Sequence, residues 1–511
     1  MTEPAETLPA ETLPAATVAA QDPFGAARAE FEAEIAFLES EDAANLDHAA
    51  LEDRLIESNR RVYLLLCQGY FDQRAAREQR VTVIDAEGVD RPYCEPGHRR
   101  RLMVIFGDAT VDRFAYRRRG DPNLYPADAA LNLPAERYSH GLRRLAAIEA
   151  TRGSFDETVA AIGRATGQTV GKRQAEELVR RAAADVDGFY AQIERPPPSP
   201  GEVLVLSADG KGIVMRPDSL RPATAHAAAT STTKLKTRLS KGEQANRKRM
   251  ATVGAVYDLV PVPRTPADVL ASKSAKPPVP APKAKAKWVT ASVADNAAQV
   301  IATVFAEADR RDPHHQRRWV AVVDGNQHQI ERIEAEAAAR NITVPVVVDL
   351  IHVLEYLWGA AWCFFPEGDP AAEDWVQDRA LAILDGQAVQ VAAGIRRRAT
   401  TQKLSKTKRR KADLCADYLT HKAPYLDYPT ALASGWPVAS GIIEGACRHV
   451  VKDRMDITGA RWGLDGAEAI LKLRAVRANG DFEKYWKHHL AQERRRLHAA
   501  RYYDQRIPAA A

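Results

Sequence analysis

No apolar run in this sequence approaches the ~20 residues that a membrane-spanning helix needs, so no membrane partner is expected. Cysteine is scarce: Cys67, Cys94, Cys363, Cys415 and Cys447 are odd in number and include no Cys-x-x-Cys. They argue for reduced thiols and against a disulfide framework or a zinc ribbon. Cys94 and His98 supply at most half a metal site, with no further ligand pair beside them. The N-terminus is acidic and proline-rich, unlike a secretory signal or a transit peptide. A cytoplasmic location is the expectation.

Charge of one sign is missing in two places. Residues 1–57 hold fourteen Asp or Glu against only Arg28 and Arg54, a balance of −12. With +5 on the whole chain, the remainder carries +17. Residues 396–411 hold nine basic residues (Arg396, Arg397, Arg398, Lys403, Lys406, Lys408, Arg409, Arg410, Lys411) and no acid. Such density repels itself unless a polyanion neutralises it, so nucleic acid is the expected partner; the alternative is a solvated basic helix.

Along the chain, residues 1–23 repeat Glu-Thr-Leu-Pro-Ala at 6–10 and 11–15 and form a leader expected to be disordered. Residues 24–80 read as helix, with Phe31, Ile35 and Leu38 on one face and Leu51, Leu55, Val62, Leu65 and Leu66 in a second segment. Dimerisation and simple packing both fit. Residues 81–195 read as a β-ribbon plus helices. Val81–Ile84, Leu102–Gly107 and Val111–Tyr116 are the predicted strands, turning at Gly107-Asp108. Arg99–Arg101 and Arg117–Arg119 flank the ribbon, either to follow phosphates or to protect an edge. Ser154 and Glu157 form a capping box opening a helix that ends near Gly167. A second helix at 169–183 carries Lys172, Arg173, Arg180 and Arg181, which fits a helix-turn-helix or a plain helical pair. The proline run at 196–200 marks a linker.

Val203–Leu206 reads as a buried strand running into Asp209-Gly210, either a hairpin turn or a carboxylate at a strand end. Gly212–Met215 and Ala251–Val260 are the next predicted strands, separated by a polar excursion carrying Lys234, Lys236, Arg247, Lys248 and Arg249. Residues 261–287 read as a flexible loop, and Ala291–Arg310 as an amphipathic helix. Trp319–Val323 repeats the first pattern and ends at Asp324-Gly325. A helix over 327–340 and a strand over Ile342–Val348, ending at Asp349, follow. The fold class is therefore α/β: a mixed sheet with helices on both faces and functional groups at strand ends. Residues 350–430 are helical, with Trp358 and Trp362 as a core pair. A helix after Ser440 carries Glu444, Arg448, Lys452 and Met455 on one stripe.

Asp209, Asp324 and Glu444 stand out as three carboxylates in matching settings. Cutting or transferring a phosphodiester requires an oxygen to approach an anion, and two divalent ions ~3.5–4 Å apart meet that need. Mg²⁺ prefers carboxylate oxygen, so three acids suffice, with Mn²⁺ as a substitute. Each residue also has a plain reading: turn formers for the aspartates, dipole complement or partner of Arg448 for Glu444. Asp349 and His352 fit either a reserve ligand pair or an N-cap with a bonded imidazole.

The segment from Val203 to about Tyr485 resembles a bacterial insertion-sequence transposase of the DDE type, most similar to the Kra-type family. The stretches that carry the likeness are Ser207–Gly212, Val322–Asn326, Asp349–Trp358 and Ser440–Arg448, continuing to Arg454 and Gly459–Trp462. Phe106–Arg113 and Leu124–Asp128 resemble the family's N-terminal part. The resemblance implies an RNase H-like catalytic domain over 201–349 and 431–490, interrupted by a helical insertion at 350–430 and preceded by a mainly helical DNA-binding region. It makes Asp209, Asp324 and Glu444 the catalytic and metal-binding triad, with Asp349 and His352 matching the Asp-x-x-His signature of Mutator-like relatives. Asp324 is preferred over Asp349 as second acid, because its strand should neighbour the first. It also implies a nucleoid-associated bacterial protein that binds double-stranded transposon ends and target DNA as a dimer or larger assembly. The expected DNA contacts are Lys172, Arg173, Lys234, Lys236, Arg247, Lys248, Arg249, Arg396, Arg397, Arg398, Lys408, Arg409, Arg410, Lys411, Arg448 and Lys452. The rival readings are a DNA-binding relic or repressor without catalysis, and a nuclease that cuts without joining.

Overall fold

A computed structural model describes residues 22–196, 199, 201–230, 247–270, 277–457 and 459–509. The leader up to residue 21, Lys234, Lys236, part of the proline run and residues 271–276 lie outside them. The chain divides into two compact units, Met1–Arg143 with Ala161–Val170 and Ala491–Ala511, and Arg144–Ala160 with Gly171–Leu490.

The first unit contains the helices predicted over 24–80 and the ribbon. Gly25–Leu38 and the long helix His48–Arg77 form a hairpin. Asp47 caps the second helix by accepting from the Ala50 N–H at 2.8 Å. The ribbon pairs β1 (Tyr93–Val104) with β2 (Gly107–Arg117) antiparallel. Its turn is Ile105-Phe106, two residues before the expected Gly107-Asp108, because Gly107 already pairs with Val104. Val81–Ile84 is not a strand; Ile84 makes only an isolated bridge to Asp90. Leu64, Cys67 and Phe71 of the long helix pack on Leu102, Val104 and Val111 of the ribbon. The capping box, in the Arg144–Ala160 segment of the second unit, is present: the Ser154 N–H donates to Glu157 at 2.6 Å and the Glu157 N–H to Ser154 Oγ at 3.1 Å. The helix it opens, Phe155–Thr166, ends at Gly167, which adopts φ 67°.

The second unit is built on a five-stranded mixed sheet in the order β5-β4-β3-β6-β7. These are β3 (Val203–Val214), β4 (Lys248–Leu259), β5 (Ala284–Ser292), β6 (Trp319–Val323) and β7 (Val346–Val348). The first three run antiparallel to their neighbours, while β6 is parallel to β3 and β7 parallel to β6. The expected order of three strands followed by helix-strand alternation is present, with a different partition. Val203–Leu206 and Gly212–Met215 are not separate strands: β3 runs unbroken through Asp209-Gly210, paired with β4 along its whole length. Asp209 is therefore not a turn residue. The third strand is β5, whose first residues fall in what was expected to be a loop, and the helix after it is Ala297–Arg311. The three-residue β7 is shorter than predicted.

Helices cover both faces, as the unbroken apolar runs Val203–Leu206 of β3 and Trp319–Val323 of β6 require. Ala297–Arg311 packs across β4 and β3 on one face. On the other, Val205, Tyr257, Val320 and Val322 join a core with the helices Leu350–Ala361, Pro370–Leu384, Ala388–Thr401 and Lys406–Lys422. Leu204 and Leu206 are fully buried, each contributing roughly 1.5–3 kcal/mol of burial energy. Trp362 corrects the expected core pair: it stacks on Trp358 at 5.2 Å but stays substantially exposed. Among the described residues, no helix is long and apolar enough to cross a membrane.

Candidate active site

Register brings the aspartates together. Ala208 pairs with Val323, and Val323 with Val348. The residue after each is an aspartate: Asp209 within β3, and Asp324 and Asp349 directly past the ends of β6 and β7. Adjacent strands lie ~4.8 Å apart, and in-register residues of parallel strands point to the same face. Alternation carries all three onto the face of Val205, Val320 and Val322, where the inserted helices pack. Asp324 is the middle member.

Asp324 is half-buried and accepts from the Asn326 N–H at 2.8 Å. Burial raises its carboxyl above the ordinary 3.8; the neighbouring Asp209 and Asp349 charges add to the rise, and the Asn326 N–H and His352 oppose it. Tyr418 Oη donates to the Asp324 carbonyl at 3.2 Å. Gly325 makes that contact possible. It adopts φ 89°, and a Cβ there would lie 2.6 Å from Tyr418 Oη. Tyr418 stacks on Tyr356 at 4.0 Å, and both line an open cleft of about 500 Å³ with Asp324, His352, Glu355 and Lys411.

Asp209 has a different partner. Its Oδ1 accepts from the Gly210 N–H at 2.5 Å, and its Oδ2 from Cys447 Sγ at 3.1 Å. Burial first, and then the Asp209 charge, push the Cys447 thiol far up, so it is a neutral donor and not a thiolate. Glu444 lies one turn before Cys447, on the helix Gly441–Ala446. Its carboxylate is exposed and makes no hydrogen bond or ion pair among the described residues. The next six residues, Cys447–Lys452, form a π-helical turn. That wider turn breaks the expected stripe: Glu444, Arg448 and Lys452 are exposed, while Met455 is buried.

Asp349 is 3% exposed, and both its oxygens are committed. Oδ1 caps the helix Leu350–Ala361 by accepting from the Ile351 N–H at 2.7 Å. Oδ2 accepts from the Ser440 N–H at 2.8 Å and from Ser440 Oγ. Asp349 thus fixes the residue before the Glu444 helix. His352 faces the cleft and pairs with Glu355 at 3.3 Å. Sequence reasoning missed Cys447, Ser440 and Tyr418; the first two lie inside the 440–448 motif. Among the described residues, no group of three or more His, Cys, Asp or Glu is gathered closely enough to hold a metal ion. That includes Cys94 and His98, the latter of which pairs with Glu95 at 3.3 Å.

The basic residues separate into spent and exposed groups. Arg249 donates to the carbonyls of Val293, Ser219 and Ala294 and serves the fold. Arg398 lies over the rings of Phe364 and Phe365 at 4.9 and 4.5 Å. Arg396 pairs with Asp417, and Arg409 with Asp413 at 2.9 Å, acids just beyond the acid-free run. Lys172 pairs with Asp156 at 2.7 Å. On the ribbon, Arg99, Arg101 and Arg117 pair with Asp112, Asp108 and Glu95, which favours edge protection. Arg173, Lys248, Arg397, Lys408, Arg410, Lys411, Arg448 and Lys452 are exposed without an ion pair among the described residues, and Arg247 is half-exposed.

No protein-family model and no curated protein matches this chain.

Proposed function

We propose that this chain is a DDE-type DNA transposase whose catalytic domain is RNase H-like. The observation that carries the reading is that Asp209 and Asp324 directly follow Ala208 and Val323, a paired couple on adjacent parallel strands. Three antiparallel strands continued by two parallel ones, with the acids on the central strand and its parallel neighbour, support the fold assignment. The 350–433 helices enter between β7 and the Glu444 helix, as an insertion before the last acid would.

Asp209 and Asp324 are the proposed metal ligands. Burial first, and the Asp209 charge after it, raise the Asp324 carboxyl, and a divalent cation would relieve both costs. Glu444 is the proposed third ligand; its unpaired carboxylate is one helical turn from the Cys447–Asp209 contact. Asp349 is a positioning residue, since its oxygens hold Ser440 and a helix cap. When bound, Mg²⁺ would supply charge neutralisation at phosphate and an activated water. The exposed Arg397, Lys408, Arg410, Lys411, Arg448 and Lys452 would hold the DNA backbone. In the first reaction, the oxygen of water bonds to phosphorus in line, and the 3′-oxygen leaves with a proton. In the second, that 3′-oxygen bonds to a target phosphorus in line, and the target strand's own 3′-oxygen leaves, taking up the proton that the attacking hydroxyl gives up.

The test is Mg²⁺-dependent nicking of DNA that flanks the chain's own coding sequence. Wild type should nick it, and Asp209→Asn should bind but not cut. Binding without nicking by wild type would favour the DNA-binding reading and overturn this one. Nicking by Asp209→Asn would remove Asp209 from the site.

A further inference from the structure

A cavity of about 380 Å³ lies at the end of the second unit's sheet away from the aspartates, and all its lining residues belong to that unit. Asp258, in its wall, pairs with Leu204, five residues before Asp209 on β3, so roughly 17 Å separates the two places. Lys285, Ala286, Lys287 and Trp288 of β5 all line it, although a regular strand turns alternate side chains to opposite faces. A bulge allows this. Lys285 pairs with Asp258 and Trp288 with Val256, so two residues of β5 stand opposite Tyr257 alone, and Ala286 adopts φ 43°.

Charge decides what the cavity can hold. Arg195, Lys285, Lys287, Arg311 and Arg317 line it against the three carboxylates of Glu202, Asp258 and Asp481, an excess of two positive charges. The acids are already spent. Asp258 pairs with Arg317 at 2.7 Å and Arg311 at 3.2 Å, Glu202 pairs with Lys285 at 3.4 Å, and Asp481 accepts from Tyr190 Oη at 3.3 Å. Behind the wall, Glu307 pairs with Arg195 at 2.8 Å but also with Arg310 at 3.1 Å, so these two add no net charge. Three of the cations are largely buried: the side chains of Arg195, Arg311 and Arg317 are 14%, 6% and 7% exposed. Uncompensated charge at such depth is costly.

Donors are left over as well. Trp288 is buried, and its indole N–H has no acceptor among the described residues; nor do Arg195 Nη2 and Arg317 Nε. Buried N–H groups are nearly always bonded. A phosphate group carries close to two negative charges and accepts several hydrogen bonds, so it offsets the excess and satisfies the donors together. A carboxylate would cancel only half of the excess.

We propose that this cavity binds a phosphate group, separately from the proposed cation site. Its volume is near the low end of the ~300–1,000 Å³ range of ligand pockets, which suits inorganic phosphate, a mononucleotide or the 5′-phosphate of a DNA end. Isothermal titration of the full chain with inorganic phosphate, against chloride at equal ionic strength, should show one site at millimolar affinity or tighter. Trp288→Phe keeps an aromatic ring without the N–H, and Lys287→Glu reverses an exposed charge at the rim. Each should weaken binding about tenfold or more with an unchanged circular dichroism spectrum. Arg77→Glu, at an exposed position in the first unit, should bind like wild type. Competition then identifies the carrier: displacement by adenosine 5′-monophosphate marks a small-molecule site, displacement by 5′-phosphorylated duplex DNA alone marks a strand end, and displacement by neither leaves phosphate itself as the ligand. Should Trp288→Phe fail to fold, Lys287→Glu decides alone. A wild type that binds no phosphate overturns the proposal, and so does wild-type affinity in the folded variants. No readout depends on nicking, so the catalytic reading stands or falls separately.

Discussion

Cys447 Sγ lies 3.1 Å from Asp209 Oδ2, joining residues 238 positions apart. The bond ties the turn after Glu444 to the central strand. Cys447→Ala should weaken the fold by about 1 kcal/mol, the usual net value of a hydrogen bond, and should leave DNA nicking in place because the thiol only donates to Asp209. Urea unfolding beside a nicking assay checks both. Loss of nicking at unchanged stability would make the thiol part of the chemistry.

Asp324 should make stability fall as pH rises. Its folded carboxyl is raised above the ordinary 3.8, so the folded state holds its proton longer than the unfolded chain does. Where the folded state binds more protons, unfolding free energy decreases with pH. The penalty is absent below the ordinary value, grows as pH climbs through the interval up to the raised one, and is complete above it. Asp324→Asn should therefore be more stable than wild type at pH 7, with the difference shrinking toward pH 3. Urea titrations at the two pH values measure it; a difference that grows on acidification contradicts the assignment.

Asp349 should matter more to the fold than a surface acid does. Asp349→Ala leaves the Ser440 and Ile351 N–H groups without their acceptor and should cost about 2–4 kcal/mol. Ser440→Ala, which removes only the hydroxyl donor, should cost about 1 kcal/mol. Thermal or urea unfolding distinguishes them. Equal, small effects would mean that the Asp349–Ser440 contact does not organise this part of the unit.

Part of this was readable in advance. Trp319–Val323 followed by Asp-Gly announces a buried strand with a carboxylate at its end, because five consecutive apolar residues need both faces covered. The capping box at Ser154 was equally plain, since its two hydrogen bonds are local. β5 was hidden: Lys285 and Lys287 alternate with alanine after a proline-rich stretch, and an edge strand protected by lysine looks like a linker. The continuation of β3 past Asp209 was hidden for a similar reason, since Gly210, Lys211 and Gly212 carry no apolar signal. Pairing partners are also invisible in one strand's sequence. The alignment of Asp209 with Asp324, the Cys447 contact and the π-helical turn come from register and packing, not from composition.

The central claim is that Asp209 and Asp324 share one cation site. A Mn²⁺ titration followed by electron paramagnetic resonance tests it most directly. Wild type should bind the ion, Asp209→Asn and Asp324→Asn should each weaken binding by about tenfold or more, and Glu355→Gln, an acid in the same cleft but outside the row, should bind like wild type. Wild-type affinity in both aspartate variants, or no binding by wild type, would contradict the account.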